Sequence, residues 1–300
     1  MARQSSFRKD LFEGKTVFIS GGGTGIGFGI ASGFIKHGAN VGIMGRREQK
    51  LKEACAKLDA LAGAARSTYA VGDVRKPELC AAAVAKVVER FGGLDIVVNN
   101  AAGNFMCDAE NLTAKGFHTV IDIDLHGTFN VSKAAFPYLK KGGGGVILNT
   151  SATLQYKATP FQAHASAAKA GIDVLTQTFG LEWGAHNIRV VSIAPGPIAG
   201  TEGGPGGRVF GSGAGTKEAD REEILTLGNV PLGRYGEVED IANTAMFLAS
   251  DAGSFINATN IVVDGGHWHG TSGWYHNFKD MVRYKSEEER TKKKGPKPKL

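Results

Sequence analysis

The amino-acid sequence predicts an α/β protein: a single Rossmann-like, doubly wound, parallel seven-stranded sheet with helices on both faces. Short apolar runs alternate with amphipathic helical patterns over residues 15–266, as expected of successive βαβ units. A glycine-rich turn stands between the first strand and the first helix. Glycines and polar residues also follow most later strands, where the carboxyl ends of a parallel sheet bind ligands.

The first strand, turn and helix predict a nucleotide site. β-branched and aromatic residues indicate a strand at about 16–20, and an apolar pattern at helical spacing indicates a helix at about 25–37. Glycines between them permit positive φ and close approach of the backbone, and the helix N-terminus attracts a pyrophosphate. We therefore expect a dinucleotide to contact Gly21, Gly22, Gly23, Thr24, Gly25 and Ile26.

The next elements continue the alternation. A strand at about 40–44 precedes a helix at about 48–61 that carries apolar residues along one side. A third strand at about 69–71 leads to a helix that Pro77 begins, because proline fits the first helical turn. The run at 94–98 is apolar throughout, which is typical of a parallel strand that is buried on both faces.

The second half follows the same pattern. Its predicted elements are a long helix at about 115–140, a strand at 146–149, a helix at 163–183, a strand at 188–193, a helix at 237–249 and a strand at 260–263. A glycine-rich segment at about 197–216 interrupts this order. A loop of that length inside a compact domain indicates a functional or mobile segment.

Charge and cysteine usage exclude several classes of protein. The formal net charge is +6, but six basic residues lie in the last eleven positions, and without them 29 basic residues face 29 acidic ones. We therefore expect a basic tail and no nucleic-acid partner. Cys55, Cys80 and Cys107 are widely spaced, which favours a reducing compartment and no structural metal. No apolar run is long enough to predict a membrane span.

Residues after the second and third strands bear on the choice of cofactor. Arg46 and Arg47 follow the second strand, and no acidic residue precedes them in that strand. Guanidinium groups complement a 2′-phosphate, whereas NAD requires an acid there, so this position favours NADPH. A solvated arginine is the alternative. Asp73 has two open interpretations: it binds the adenine amino group, or it caps the next helix.

Three motifs in order identify a family resemblance. They are the glycine-rich turn at 21–27, the small residues of Asn99-Asn100-Ala101-Ala102-Gly103 after the fourth strand, and Pro195-Gly196 after the sixth. Together they resemble the short-chain dehydrogenase/reductase family over residues 15–266. The resemblance implies further cofactor contacts from Asn100, Lys169, Pro195, Gly196, Pro197, Ile198 and Thr201.

The sequence departs from that family at its catalytic residues. The family's tyrosine, four residues before the lysine, is Ala165 here, and its serine, seventeen before the lysine, is Ala152. The usual asparagine is Asp124, while Lys169 is retained. A carboxylate and a lysine that face one cavity could hold a water and deliver its proton to carbon. A buried salt bridge without catalytic function is the structural alternative.

These departures resemble one branch of the family, the peroxisomal 2,4-dienoyl-CoA reductases. The matching segments are 101–105, 122–124, 127–130, 152–154, 194–198 and 200–203. The resemblance implies that NADPH gives hydride to the δ-carbon of a 2,4-dienoyl thioester. A water held by the expected catalytic residues, Asp124 and Lys169, then protonates the α-carbon and yields a 3-enoyl-CoA.

The resemblance also implies a substrate site, and two other functions stay open. The expected contacts to the CoA thioester are Arg46, Arg75, Phe105, Thr113, Ala114 and Lys115. A surface charge or a core aromatic is the alternative for each of them. One rival function is a carbonyl reductase that uses Tyr156 as proton donor. The other is a non-catalytic scaffold that binds NADPH.

We expect three segments along the chain. Residues 1–14 form a lead-in, residues 15–266 form the NADPH-binding reductase domain, and residues 267–300 form a C-terminal extension with the basic tail. The chain ends in Pro298-Lys299-Leu300, one residue away from the Ser-Lys-Leu peroxisomal signal. We expect recognition by the peroxisomal import receptor, with a cytoplasmic location as the alternative. The family resemblance suggests a homotetramer or homodimer.

Overall fold

Seven parallel strands form one sheet in the computed structural model, which describes residues 5–157, 159–201 and 230–270. The strand order is β3-β2-β1-β4-β5-β6-β7, and the order reverses direction between β1 and β4. The strands are β1 (Thr16–Ser20), β2 (Asn40–Gly45), β3 (Ser67–Val71), β4 (Ile96–Asn99), β5 (Gly145–Thr150), β6 (Ile188–Pro195) and β7 (Thr259–Val263). Ligands of such sheets bind at this reversal, beyond the carboxyl ends of the strands.

Helices cover both faces of the sheet. They are α1 (Gly25–Lys36), α2 (Glu48–Ala62), α3 (Pro77–Phe91), α4 (Ala114–Ile121), α5 (Gly127–Lys141), α6 (Ala163–Trp183) and α7 (Val238–Ala249). Val17 and Ile19 point into the core under α1, α2 and α7, whereas Phe18 points into the core under α3, α5 and α6. This alternation follows from the period of two along a strand, and it confirms the predicted doubly wound architecture.

The long helix predicted at 115–140 is interrupted. A π-helical turn, Asp122–His126, separates α4 from α5, and the N–H of Gly127 donates to the carbonyl of Asp122 five residues earlier. The Thr128 hydroxyl donates to the Asp124 carbonyl at 2.7 Å. The predicted helix is therefore confirmed over this range, but it contains a π-helical turn that the sequence did not predict. Such turns occur often at functional sites, and this one carries Asp124.

Parts of three predicted segments lie outside the described residues. These parts are 1–4 of the lead-in, 202–216 of the glycine-rich segment and 271–300 of the C-terminal extension, which includes Pro298-Lys299-Leu300. The described part of the lead-in packs on the domain: Phe12 is buried, and its ring lies 4.8 Å from that of Phe34. No described helix is both long and apolar enough to cross a membrane.

Candidate active site

The turns after β1 and β4 lie against each other at the reversal of strand order. Gly21 has φ +68°, and a Cβ built there would lie 2.9 Å from the Cα of Ala101. The Asn100 side-chain amide donates to the Gly21 carbonyl at 3.3 Å, while the Ser20 hydroxyl accepts from the Asn100 backbone N–H at 3.1 Å. These contacts leave no room for a side chain at Gly21, so the backbone itself forms the wall of the site.

The start of α1 fits the pyrophosphate of a dinucleotide. Thr24 precedes the helix and makes no side-chain hydrogen bond to it, and the first turn carries no acidic residue. Gly25 has φ +55°, and the nearest atoms to a Cβ built there belong to Thr201, at 3.9 Å. The helix dipole and the first N–H groups thus face open space bounded by Thr201, which suits an anion.

The segment 195–201, which carries several of the expected cofactor contacts, is fixed by backbone hydrogen bonds to neighbouring segments. Gly196 donates its N–H to the Val263 carbonyl at 3.0 Å, and the Pro197 carbonyl accepts from the Gly236 N–H at 3.0 Å. The side chain of Ile198 is buried. The structure therefore holds this segment beside the carboxyl ends of β6 and β7, at the same edge of the sheet as the turn after β1.

Arg46 and Arg47 are exposed at the end of β2, where a 2′-phosphate would lie. Asp73, after β3, is held by Arg75: the guanidinium contacts its carboxylate at 3.0 Å and 2.6 Å. These contacts lower the pKa of the Asp73 carboxyl, and Arg46 lowers it further. Because Lys76 precedes α3 and no side chain caps that helix, the helix-cap interpretation of Asp73 is wrong. The adenine interpretation stays a prediction.

Asp124 and Lys169 form a buried ion pair. Lys169 Nζ lies 3.1 Å from Asp124 Oδ2, and the side chains are 9% and 2% exposed, in that order. Asp124 Oδ1 accepts from the Gly103 N–H at 2.7 Å, and Lys169 donates to the Thr150 carbonyl at 2.9 Å. Burial raises the pKa of the Asp124 carboxyl, although Lys169 and Gly103 act against it. A carboxyl with a raised pKa is suited to proton transfer.

Asparagines tie the central strands together behind this pair. The Asn99 amide donates to Ser132 and to Asn149 Oδ1, both at 2.8 Å, and the Asn149 amide donates to Thr176 at 2.9 Å. All four side chains are buried, and the network joins β4 and β5 to α5 and α6. The network therefore holds α6, which carries Lys169, and α5, which follows the turn that carries Asp124.

The structure brings some of the predicted substrate residues together and separates others. A Cβ built at Gly116 would lie 3.1 Å from Cζ of Phe105, so the Phe105 ring packs against the first turn of α4. Thr113 caps that helix by accepting the Gly116 N–H at 3.1 Å, and Ala114 and Lys115 follow it. Arg46 and Arg75 lie instead beyond β2 and β3. Arg75 lines a cleft of about 360 Å³ with Lys76, Asp122 and His126.

Tyr156 contacts Asp173 rather than the Asp124–Lys169 pair. Its phenol lies near Asp173 and Asn260, which both influence its pKa, and its ring lies 5.4 Å from that of Trp268. Burial and the Asp173 charge raise the pKa of the phenol. This environment disfavours the phenolate, so the structure gives no support to Tyr156 as the proton donor of a carbonyl reductase.

The sequence analysis did not identify two buried polar residues of α6, Asp173 and His164. Asp173 accepts from Ser151 at 2.6 Å and from Gln155 at 2.5 Å, and burial raises the pKa of its carboxyl. The spacing of four from Lys169 places both side chains on one face of α6, which was the available signal. His164 is fully buried beside Phe105, with ring centroids 4.2 Å apart, and no sequence pattern marked it.

Comparison with known proteins agrees with this geometry. A family model described as Enoyl-(Acyl carrier protein) reductase matches residues 21–267. A peroxisomal 2,4-dienoyl-CoA reductase, (3E)-enoyl-CoA-producing, from Arabidopsis thaliana is 46% identical over 275 residues, with 88% of each chain covered. A probable 2,4-dienoyl-CoA reductase, (2E)-enoyl-CoA-producing, from Bacillus subtilis is 40% identical over 85% of this chain and 97% of its own length.

A solved structure of a relative contains a nicotinamide cofactor. The gluconate 5-dehydrogenase of Burkholderia cenocepacia, in complex with NADP and tartrate, has a TM-score of 0.78 and 27% identity. The match covers 87% of this chain and 99% of that chain. With the parallel sheet, the glycine turn and the retained lysine, these similarities agree on one assignment: the chain belongs to the short-chain dehydrogenase/reductase family.

Proposed function

We propose that this protein is an NADPH-dependent reductase of 2,4-dienoyl-CoA thioesters that acts in the β-oxidation of unsaturated fatty acids. The observation that carries the proposal is the buried Asp124–Lys169 pair, which occupies the catalytic region in the absence of the family's tyrosine and serine. The Arabidopsis relative, a peroxisomal 2,4-dienoyl-CoA reductase, supports the same substrate class.

The conjugated substrate explains why a phenol is unnecessary. Bound NADPH supplies the hydride, which C5 of the dienoyl thioester accepts. Asp124 and Lys169 hold a water and move its proton to C2, so that the remaining double bond lies between C3 and C4. The raised pKa of Asp124 helps it to return a proton to that water. Since the proton goes to carbon, no group has to protonate the carbonyl oxygen.

The arginines after β2 and β3 would bind the phosphate groups of NADPH and of CoA. Arg46 and Arg47 would bind the 2′-phosphate of NADPH, since charge-assisted guanidinium contacts suit phosphate. Arg75 and Arg46 would contact the CoA phosphates, and Lys115 would contact CoA from the start of α4. Phe105 would pack on the acyl chain beside Thr113 and Ala114. The cleft beside Arg75 supports this arrangement because two basic side chains, Arg75 and Lys76, line it together with His126 and one acidic side chain, Asp122.

One assay tests the proposed function. The purified protein is mixed with NADPH and 2,4-hexadienoyl-CoA, and the loss of nicotinamide absorbance is followed, with acetoacetyl-CoA as the ketone comparison. We expect oxidation of NADPH with the dienoyl thioester and little with the ketone. Oxidation with the ketone alone would support a carbonyl reductase. No oxidation with either substrate would support a scaffold that only binds the cofactor.

We further propose a peroxisomal location, which the name of the Arabidopsis relative supports. Recognition by the import receptor is tested by imaging a fluorescent fusion with and without the last three residues. Loss of the punctate signal on removal of those residues is the expected result. A signal that stays punctate without them would contradict recognition through that segment.

We also propose a homo-oligomer, either a tetramer or a dimer. Val174 and Leu181, seven residues apart on α6, are 61% and 77% exposed, and Phe129 on α5 is 42% exposed. Such an apolar helix face is suited to pairing with a second copy of the chain. Light scattering gives the mass in solution, and the mass of a single chain would contradict the proposal.

A further inference from the structure

The His164 imidazole is a buried polar group without a well-aligned hydrogen bond to the described part of the protein. Its exposure is 0%, and neither ring nitrogen makes a hydrogen bond of good geometry among the described residues, although the Phe105 backbone lies near enough to the ring to raise its pKa. Buried polar groups are nearly always hydrogen-bonded, and one that is not destabilises the fold. A polar side chain retained under these conditions indicates a ligand that is present during function.

The surroundings of His164 place it within the proposed active site. The ring lies on the first turn of α6, which also carries Lys169 one to two turns later. Phe105 packs against it with centroids 4.2 Å apart and planes tilted by 40°. Burial dominates and lowers the pKa of His164, although the Phe105 backbone and the charge of Asp124 both act in the opposite direction. The imidazole is therefore neutral and offers one N–H donor in its plane.

The proposed reaction needs a donor at this place. When C5 of the dienoyl thioester accepts hydride, an electron pair moves through the conjugated system to the thioester oxygen. That oxygen is two bonds from C2, the carbon that receives the proton. Its hydrogen-bond donor must therefore lie near the Asp124–Lys169 pair. The ring contact with Phe105 leaves both ring nitrogens without a hydrogen bond of good geometry, so a substrate oxygen can compete for the N–H.

We propose that His164 donates its N–H to the thioester carbonyl oxygen and stabilises the dienolate that forms before protonation at C2. This inference rests on the proposed dienoyl-CoA reductase activity and adds a catalytic residue to it. A neutral donor suits the step, because it polarises the oxygen without giving up its proton. The proton that completes the reaction still comes from the water at Asp124 and Lys169, and the pair of electrons returns from oxygen to C2.

The test compares substitutions at His164 with a matched control on the same turn. His164→Leu and His164→Met remove the donor and keep an apolar side chain, whereas His164→Gln keeps N–H donors. Ser166→Ala is the control, because the Ser166 hydroxyl is also buried without a partner but has no ring contact with Phe105. Each variant is assayed by single-turnover oxidation of NADPH with 2,4-hexadienoyl-CoA, by NADPH binding and by thermal unfolding.

We expect the single-turnover rate of the Leu and Met variants to fall about 10²–10³-fold, as for removal of one oxyanion donor. Their melting temperatures should equal or exceed the wild-type value, because an unpaired buried polar group is gone. A structural role would lower rate and stability together. Ser166→Ala should keep the wild-type rate. Folded Leu and Met variants with wild-type rates would overturn the proposal.

A spectroscopic readout does not depend on turnover. With NADP⁺ present, a hydrogen bond to the thioester oxygen should shift the absorbance of bound 2,4-hexadienoyl-CoA to longer wavelength. We expect this shift in the wild type and in Ser166→Ala, partial retention in His164→Gln, and loss in His164→Leu and His164→Met. A full shift in the last two would overturn the assignment. A wild type without dienoyl-CoA reduction would instead overturn the proposed function.

Discussion

Lys169 Nζ lies 3.1 Å from Asp124 Oδ2, and the other contacts of the two groups are to backbone atoms of Thr150 and Gly103. Each side chain is thus fixed on one side by the main chain and on the other by its counter-charge. The interruption of the helix between α4 and α5 carries Asp124 to this position. The pair is pre-organised without any contribution from the tyrosine that the family uses.

Removal of either charge should slow the reaction. We expect Asp124→Asn and Lys169→Met to lower kcat by about 10²–10⁴-fold, the usual contribution of a positioned proton-transfer group. Lys169→Met should also weaken NADPH binding, because Lys169 is expected to contact the cofactor, whereas Asp124→Asn should not. Steady-state kinetics with dienoyl-CoA and fluorescence titration with NADPH measure both effects. Wild-type kcat in Asp124→Asn would exclude the carboxylate from proton transfer.

Loss of the Tyr156 hydroxyl should affect stability more than activity. Tyr156→Phe removes the hydroxyl that lies near Asp173, and loss of one hydrogen-bonding group typically lowers the unfolding free energy by about 1 kcal/mol. The reaction does not use the phenol, so kcat with the dienoyl thioester should stay near the wild-type value. Chemical denaturation and steady-state kinetics of the same preparation give the comparison. A large fall in kcat at unchanged stability would show that the phenol takes part in the reaction and would contradict this prediction.

The two arginines after β2 should set the preference for NADPH. We expect Arg46→Ala and Arg47→Ala to raise the KM for NADPH by roughly 10–100-fold each, since a hydrogen bond to a charged group contributes about 1.5–3 kcal/mol. The KM for NADH, which lacks the 2′-phosphate, should change little. Lys50→Ala is a suitable control, because Lys50 is exposed nearby on α2 and pairs with Glu53. Equal effects on both cofactors would contradict the assignment.

The buried carboxyl of Asp173 should make stability depend on pH. Burial raises its pKa, so the folded protein keeps this proton to higher pH than the unfolded chain does. The carboxyl of Asp173 in the unfolded chain has a pKa of about 4, and below that pH its contribution to folding stability is fully present. This contribution is lost as the pH rises through the pKa of Asp173 in the folded protein. Asp173→Asn cannot lose that proton. The melting temperature of Asp173→Asn minus that of the wild type should increase as the pH rises. A decrease of this difference with rising pH would contradict the raised pKa of Asp173.

Much of the fold follows from local patterns in the sequence. Strands such as β1 and β4 are apolar on both faces, and Pro77 and the glycine turn mark helix starts, so their positions could be predicted. The π-helical turn at Asp122–His126 could not, because one additional residue in a turn barely alters the apolar periodicity. The Asp124–Lys169 pair was inferred from a family resemblance, and the geometry agrees with it.

Burial of polar side chains is the property that the sequence conceals. His164 and Asp173 both lie on α6 among residues that also read as an ordinary amphipathic helix. Whether their side chains are covered depends on Phe105 and on the loop that carries Gln155, which are distant in sequence. The helix-cap interpretation of Asp73 failed for a related reason, since Arg75 engages the carboxylate in a local ion pair.

The central claim is that hydride reaches C5 of a dienoyl thioester while a water held by Asp124 and Lys169 gives a proton to C2. The most direct measurement is the reaction of 2,4-hexadienoyl-CoA with NADPH in D₂O, followed by mass spectrometry and NMR of the product. We predict 3-hexenoyl-CoA with one deuterium at C2 and solvent deuterium at no other carbon. A 2-hexenoyl product with deuterium at C4, or recovery of the unreduced diene, would contradict the account.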